Sequence, residues 1–222
     1  AQEGGGGECP GLLMGGIAWR CDMGCAGGYA RDGGCVGATR EPDMDTAQGR
    51  GILEEAEELG VAFLLRAGGE PFLRRDILNL AAEFPRMIFP IFTNGTMLDE
   101  EYLNLLDESR NIIPVFSIEG AAEQTDRRRG EGVSAVLSGA MDRLKEKGVL
   151  FGASITVTSE NLHAVTEPRF LAELRNRGCG LVFFLEYVPV SAGTEYLALD
   201  EENIEALAGA VAALKRGIRD MI

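Results

Sequence analysis

The chain is 222 residues long, enough for one sizeable core and short for two, and its 45% hydrophobic and 25% charged residues suit a folded globular protein. With 35 acidic against 21 basic side chains, its formal net charge of −14 makes nucleic acid an unfavourable partner. No apolar run approaches the roughly 18 residues of a membrane span and no basic-then-apolar leader opens the sequence, so a cytoplasmic protein without a membrane partner is expected.

Glycine totals 30, and 13 of these fall in the first 37 residues. Residues 1–45 therefore read as a Gly/Cys-rich, loop-dominated opening with one strand-like run at 12–19. Four of the five cysteines, Cys9, Cys21, Cys25 and Cys35, lie there. That crowding fits a reduced, metal-binding segment better than a disulfide framework. Cys179 stands apart and reads as buried apolar filling.

Residues 46–222 alternate steadily. Helical patterns at 46–60, 71–84, 98–109, 132–147 and 168–177 precede apolar runs at 61–67, 87–93, 112–118, 150–157 and 181–188. A last helix is expected at 200–218. Strands that are continuously apolar and separated by helices belong in a parallel sheet. The expected fold is α/β: a single domain over 1–222, built as a six-unit (β/α)6 partial TIM-type barrel with parallel strands.

In such folds ligands bind where strands end. Polar or reactive residues stand there in every unit: Cys21 and Cys25, then Gly68-Gly69-Glu70, Asn94-Gly95, Ser117 with Glu119, Thr158 with Asn161, and Glu186-Tyr187. Residue types also exclude much. One histidine, His163, rules out a multi-histidine metal site. The three lysines, Lys145, Lys147 and Lys215, lie in helical segments, and no nucleophile-elbow or P-loop motif is present.

Two thiolates four residues apart on a glycine-rich loop can wrap a soft metal centre. The segment Cys21-Asp22-Met23-Gly24-Cys25-Ala26-Gly27-Gly28-Tyr29-Ala30 resembles the cluster loop of radical S-adenosylmethionine (radical SAM) enzymes. That loop reads C-x3-C-x2-C and is often followed by Tyr-Ala. Gly68-Gly69-Glu70-Pro71 resembles the family's GGEP motif, and Thr93-Asn94-Gly95-Thr96 its third-strand end. Ser117-Ile118-Glu119-Gly120 with Asp126-Arg127-Arg128-Arg129-Gly130 resembles its fourth-strand pattern.

The resemblance implies a [4Fe–4S] cluster and S-adenosyl-L-methionine as cofactors. Reductive cleavage would give a 5′-deoxyadenosyl radical that abstracts hydrogen from a small-molecule or peptide substrate, and a reductant such as flavodoxin or ferredoxin would supply the electron. Cys21 and Cys25 would be metal ligands. Gly68, Gly69, Glu70 and Pro71 would meet the methionine end of the cofactor, where Glu70 or exposed carbonyls would accept from its ammonium group. Asn94, Ser117, Glu119, Ser154 and Tyr187 would face its other parts, and Arg129 would pair with a carboxylate. Arg127 and Arg128 read as a solvated basic loop.

Gly28 departs from the pattern, because it stands where the family has its third cysteine. Cys35, or less favourably Cys9, would have to swing in as a substitute, or the ligand has been replaced or lost. The rival reading is a non-catalytic barrel that binds S-adenosylmethionine or serves as an interaction scaffold. A third is a barrel enzyme using Glu70, Glu119 and Glu186 as acid–base groups. Family members also commonly continue past the sixth unit into a C-terminal extension that closes the mouth or carries further clusters.

Overall fold

A computed structural model describes residues 11–16, 20–25, 28, 43–190 and 192–217. Cys9, Trp19, Tyr29 and Cys35 lie outside the described residues, so the proposed substitution by Cys9 or Cys35 is not addressed by them.

Six strands form one sheet in the order β1 to β6, with every neighbouring pair parallel. They span Leu12–Gly16, Phe63–Ala67, Phe89–Thr93, Ile112–Ile118, Gly152–Val157 and Leu181–Glu186. Sequential order is what repeated β–α units produce when each winds the same way. Among the described residues β1 and β6 form the two edges, so the barrel is partial.

The central strands are hydrophobic at almost every position because both faces are covered: Phe89, Ile91, Val115, Phe116, Ala153, Ile155 and Val157 are fully or almost fully buried. Burying side chains of this size stabilises by roughly 1.5–3 kcal/mol each. Edge strands differ, and Leu12, Met14 and Leu185 are exposed.

The outer layer is made by α1 (Thr46–Glu58), α2 (Arg75–Ala82), α3 (Glu100–Glu108), α5 (Val133–Glu146), α7 (Pro168–Asn176) and α8 (Glu201–Gly217), with short helices α4 (Ala122–Arg129) and α6 (Leu162–Thr166) between. Asp45 caps α1 in a reciprocal box with Gln48, and the Asp99 side chain accepts from the Tyr102 N–H at the start of α3.

Two expectations are corrected. The helix expected at 71–84 is broken: Pro71–Leu73 forms one 3₁₀ turn and α2 begins only at Arg75. The basic stretch holding Arg127 and Arg128 is not a loop but α4, and the Arg128 side chain is only 18% exposed.

Candidate functional site

The carboxyl ends of the strands enclose a cavity of about 360 Å³. It is lined by Cys21 and Cys25 from the loop after β1, by Gly68, Gly69 and Glu70 after β2, and by Asn94 after β3. Ser117, Ser154 and Thr156 contribute hydroxyls to its wall, and Arg128 and Arg129 its cationic side. Strand register sets the hydroxyls: Ser117 pairs with Ser154, and Ser154 with Phe183. Phe92 and Phe183, with ring centroids 5.3 Å apart, help make an apolar floor with Met14 and Leu65. An apolar chamber of this size with a few convergent polar groups suits a ligand of nucleoside dimensions.

The thiol loop is held against the second strand end. The Glu70 N–H donates to the Arg20 carbonyl at 2.7 Å. A side chain at position 69 has no room beside this contact, since a Cβ there would come within 1.9 Å of the Arg20 oxygen. Gly68, with φ of 142°, turns the chain into that approach.

The Glu70 carboxylate is engaged by three donors of the protein. Oε1 accepts from the Phe72 N–H at 2.9 Å and the Thr93 hydroxyl at 2.8 Å, and Oε2 from the Asn94 N–H at 2.7 Å. The residue is 1% exposed. Burial pushes its carboxyl above the ordinary glutamate value, while these three donors pull it back. It fastens the end of β2 to that of β3. Pro71, buried beside it, opens the 3₁₀ turn and does not line the cavity.

Each thiol has a nitrogen donor beside it. Asn94 Nδ2 lies 4.0 Å from the Cys21 sulfur, and Arg129 Nη1 lies 4.0 Å from that of Cys25. Burial, with a smaller contribution from Asp22, pushes the Cys21 thiol up from its ordinary pKa. Gly28 lies on the same cavity wall, its N–H donating to the Cys25 carbonyl at 3.1 Å. A Cβ at position 28 would sit 3.2 Å from both the Cys25 Cβ and the Cys25 carbonyl oxygen, so a side chain there requires Cys25 to yield by a few tenths of an ångström.

Glu119 and Tyr187 are set back from the lining. Glu119 Oε1 accepts from Arg128 Nη1 at 2.6 Å and from Arg129 Nη2 and Nε at 2.6 and 2.9 Å, whereas its buried Oε2 has no partner. Sequence reasoning missed that Arg128 joins this ion pair, because three successive arginines read alike. Tyr187 is buried with an unpartnered hydroxyl, and the Arg128 guanidinium lies 5.6 Å from its ring centroid. Glu186 is exposed. Three carboxylates therefore do not converge as acid–base groups: Glu70 and Glu119 are held by donors and Glu186 faces outward. Cys179 is buried, and burial pushes its thiol to about 11, as suits filling rather than chemistry.

The thiols and the glycine turn thus open on one cavity. The sequence profile of the Radical SAM superfamily matches residues 19–167. The chain belongs to the radical SAM superfamily. The Fe-coproporphyrin III synthase of Methanosarcina barkeri is 28% identical over 191 residues, covering 83% of this chain and 47% of that protein. The PqqA peptide cyclase of Gluconobacter oxydans is 30% identical over 169 residues, covering 74% and 45%. Streptococcus suis SuiB bound to S-adenosylmethionine shares the fold with a TM-score of 0.75 at 17% identity, over 95% of this chain and 48% of SuiB. This radical SAM chain spans about half the length of the curated relatives it matches.

Radical SAM family members use a [4Fe–4S] cluster and S-adenosylmethionine. The cavity, its hydroxyls and its cationic side fit S-adenosylmethionine. The described residues fall one thiolate short of the family's cluster: Cys21 and Cys25 face the cavity, and position 28 carries no donor. Among the described residues no group of three or more His, Cys, Asp or Glu could hold a metal ion.

Proposed function

We propose that this chain is the cofactor-binding barrel of a radical SAM enzyme that abstracts hydrogen from a peptide or small-molecule substrate. The observation that carries this reading is the shared cavity of about 360 Å³ onto which Cys21, Cys25, Gly68, Gly69 and Glu70 all open. A cluster completed by a further ligand would supply the electron that splits the sulfonium of S-adenosylmethionine.

The chain's own residues have separate tasks. Carbonyls of the Gly68-Gly69 turn accept from the ammonium group of the ligand, while Glu70 holds that turn in place. Arg129, anchored through two nitrogens to Glu119, leaves Nη1 on the thiol side to meet a carboxylate. Ser117, Ser154 and Thr156 bind ribose or base, and Phe92 and Phe183 exclude water beneath them. A peptide substrate is supported by relatives such as the PqqA peptide cyclase. The reading places the protein in the cytosol, where its thiols stay reduced, with flavodoxin or ferredoxin as electron donor.

Gly28 favours a second reading: a barrel that binds S-adenosylmethionine without a cluster and acts as a scaffold. Anaerobic iron–sulfide reconstitution of the native chain and of Gly28→Cys, read by iron analysis and electron paramagnetic resonance, separates the two. A reducible four-iron signal perturbed by S-adenosylmethionine in the native chain supports the enzyme. The same signal in Gly28→Cys alone supports the scaffold. Iron uptake by neither chain, with no S-adenosylmethionine binding, overturns both.

A further inference from the structure

The Asn-Gly turn after β3 carries a bond network that the cofactor reading does not use. Asp22, between the two thiols, points its carboxylate at this turn. Oδ1 accepts from Asn94 Nδ2 at 2.7 Å and Oδ2 from the Thr96 hydroxyl at 2.7 Å. Asn94 Oδ1 in turn accepts from the Thr96 N–H at 2.9 Å, which fixes the amide so that Nδ2 faces Asp22. The Asn94 backbone is tied as well, through its N–H to Glu70 Oε2 at 2.7 Å. Asn94 is 5% exposed, so its amide orientation is set by protein contacts rather than by water.

Cys21 is thereby held from both sides in sequence. Upstream, the Arg20 carbonyl accepts from Glu70; downstream, Asp22 accepts from Asn94 and Thr96. Both attachments lead back to one residue, Glu70: its backbone N–H donates to the Arg20 carbonyl, and its carboxylate accepts from the Asn94 N–H. Charge-assisted bonds to a carboxylate are about twice as strong as neutral ones, which suits a loop of glycines with little stiffness of its own. The Asn94 amide that holds Asp22 also lies beside the Cys21 sulfur.

We propose that Asp22 and Asn94 are positioning residues: their side-chain bond clamps the thiol loop to the end of β3 and fixes where the Cys21 sulfur stands in the cavity. Asn94 thus acts on the loop rather than as a direct contact to S-adenosylmethionine. The clamp's value to a cofactor rests on the radical SAM reading, but its existence does not, and it is measured on the metal-free chain.

The test is residue-resolved alkylation of the reduced, metal-free full chain by iodoacetamide at one fixed pH, with peptides quantified by mass spectrometry. Asn94→Ala, which leaves the Asp22 charge beside the thiol, is expected to raise the Cys21 rate at least threefold while the Cys25 and Cys179 rates stay within twofold, and Asp22→Ala to raise it further. The double exchange Asp22→Asn with Asn94→Asp rebuilds the bond with donor and acceptor reversed, and is expected to return the Cys21 rate to within twofold of native. Thr96→Val removes one donor only and serves if an alanine variant fails to fold. Unchanged Cys21 rates, equal acceleration of all three thiols, or a double exchange as fast as the single variants overturns the clamp. S-adenosylmethionine binding, measured in parallel by calorimetry on the native chain, reports on the cofactor reading independently.

Discussion

The carbonyl oxygen of Arg20 occupies the place that a side chain on Gly69 would need, 1.9 Å from where its Cβ would stand. The glycine doublet is therefore required by the neighbouring chain, before any ligand is considered. Its absence of a side chain lets the thiol loop dock, and the Glu70 N–H secures the docked backbone.

Gly69→Ala is accordingly expected to push the loop off the second strand end. Overpacking of this kind costs about 1–3 kcal/mol, and loss of loop docking should weaken S-adenosylmethionine binding by about tenfold or more. Urea denaturation and calorimetry check the two effects. A variant with native affinity would show that loop docking and ligand binding are independent.

Glu70→Gln keeps the shape of the side chain and turns one acceptor into a donor. Three donors converge on the carboxylate, from Phe72, Thr93 and Asn94, so the amide must face at least one of them. A buried donor left without an acceptor costs about 1–3 kcal/mol. The expected result is a lower urea midpoint, together with faster amide exchange at Asn94, whose N–H loses its acceptor while the remaining oxygen keeps Phe72 and Thr93.

How much of this was legible in the sequence follows from which forces act locally. The strands were readable because both sheet faces are covered, so Ile112-Ile113-Pro114-Val115-Phe116 is apolar without interruption. The cavity rim was readable because strand ends in a wound sheet converge. The helix α4 was not, since only Thr125 is buried along it and no apolar stripe betrays it. Its arginines find their role through Glu119, ten positions before Arg129 but adjacent in space. Nor could the role of Glu70 be read: a glutamate after two glycines looks the same whether it faces a ligand or three backbone and side-chain donors.

The Glu119–arginine group gives a third prediction. Its carboxylate is 3% exposed and gathers three nitrogens on one oxygen. Arg129→Met removes two of them and leaves Arg128 as the remaining partner, at a cost of about 2 kcal/mol, less than for a wholly unpaired buried charge. Glu119→Gln in the same chain should recover more than half of that loss, because the charge that lacked compensation is gone. Denaturation of the two single variants and the double gives the coupling directly; additive losses would mean the ion pair does not act as a unit.

The acid response should expose a second tie between elements, outside the cavity lining. Asp76 accepts from Arg74 through both oxygens and from the Thr46 hydroxyl at 2.7 Å, so it joins the start of α2 to the start of α1. The Arg74 side chain, and to a lesser degree Thr46, holds its carboxyl well below the usual 3.8. A carboxyl whose folded value lies below its unfolded value stabilises at every pH above the unfolded one. That contribution is lost as pH falls from about 4 through the folded value. Asp76 is 43% exposed, so solvent screening limits the effect to about 0.5–1 kcal/mol. Asp76→Asn should therefore be less stable than the native chain at pH 7 by that amount, and the gap should close steadily below pH 4. Urea midpoints at pH 7, 5, 4 and 3 check the sign, and a gap that widens in acid would mean the Arg74 pairing is not the cause.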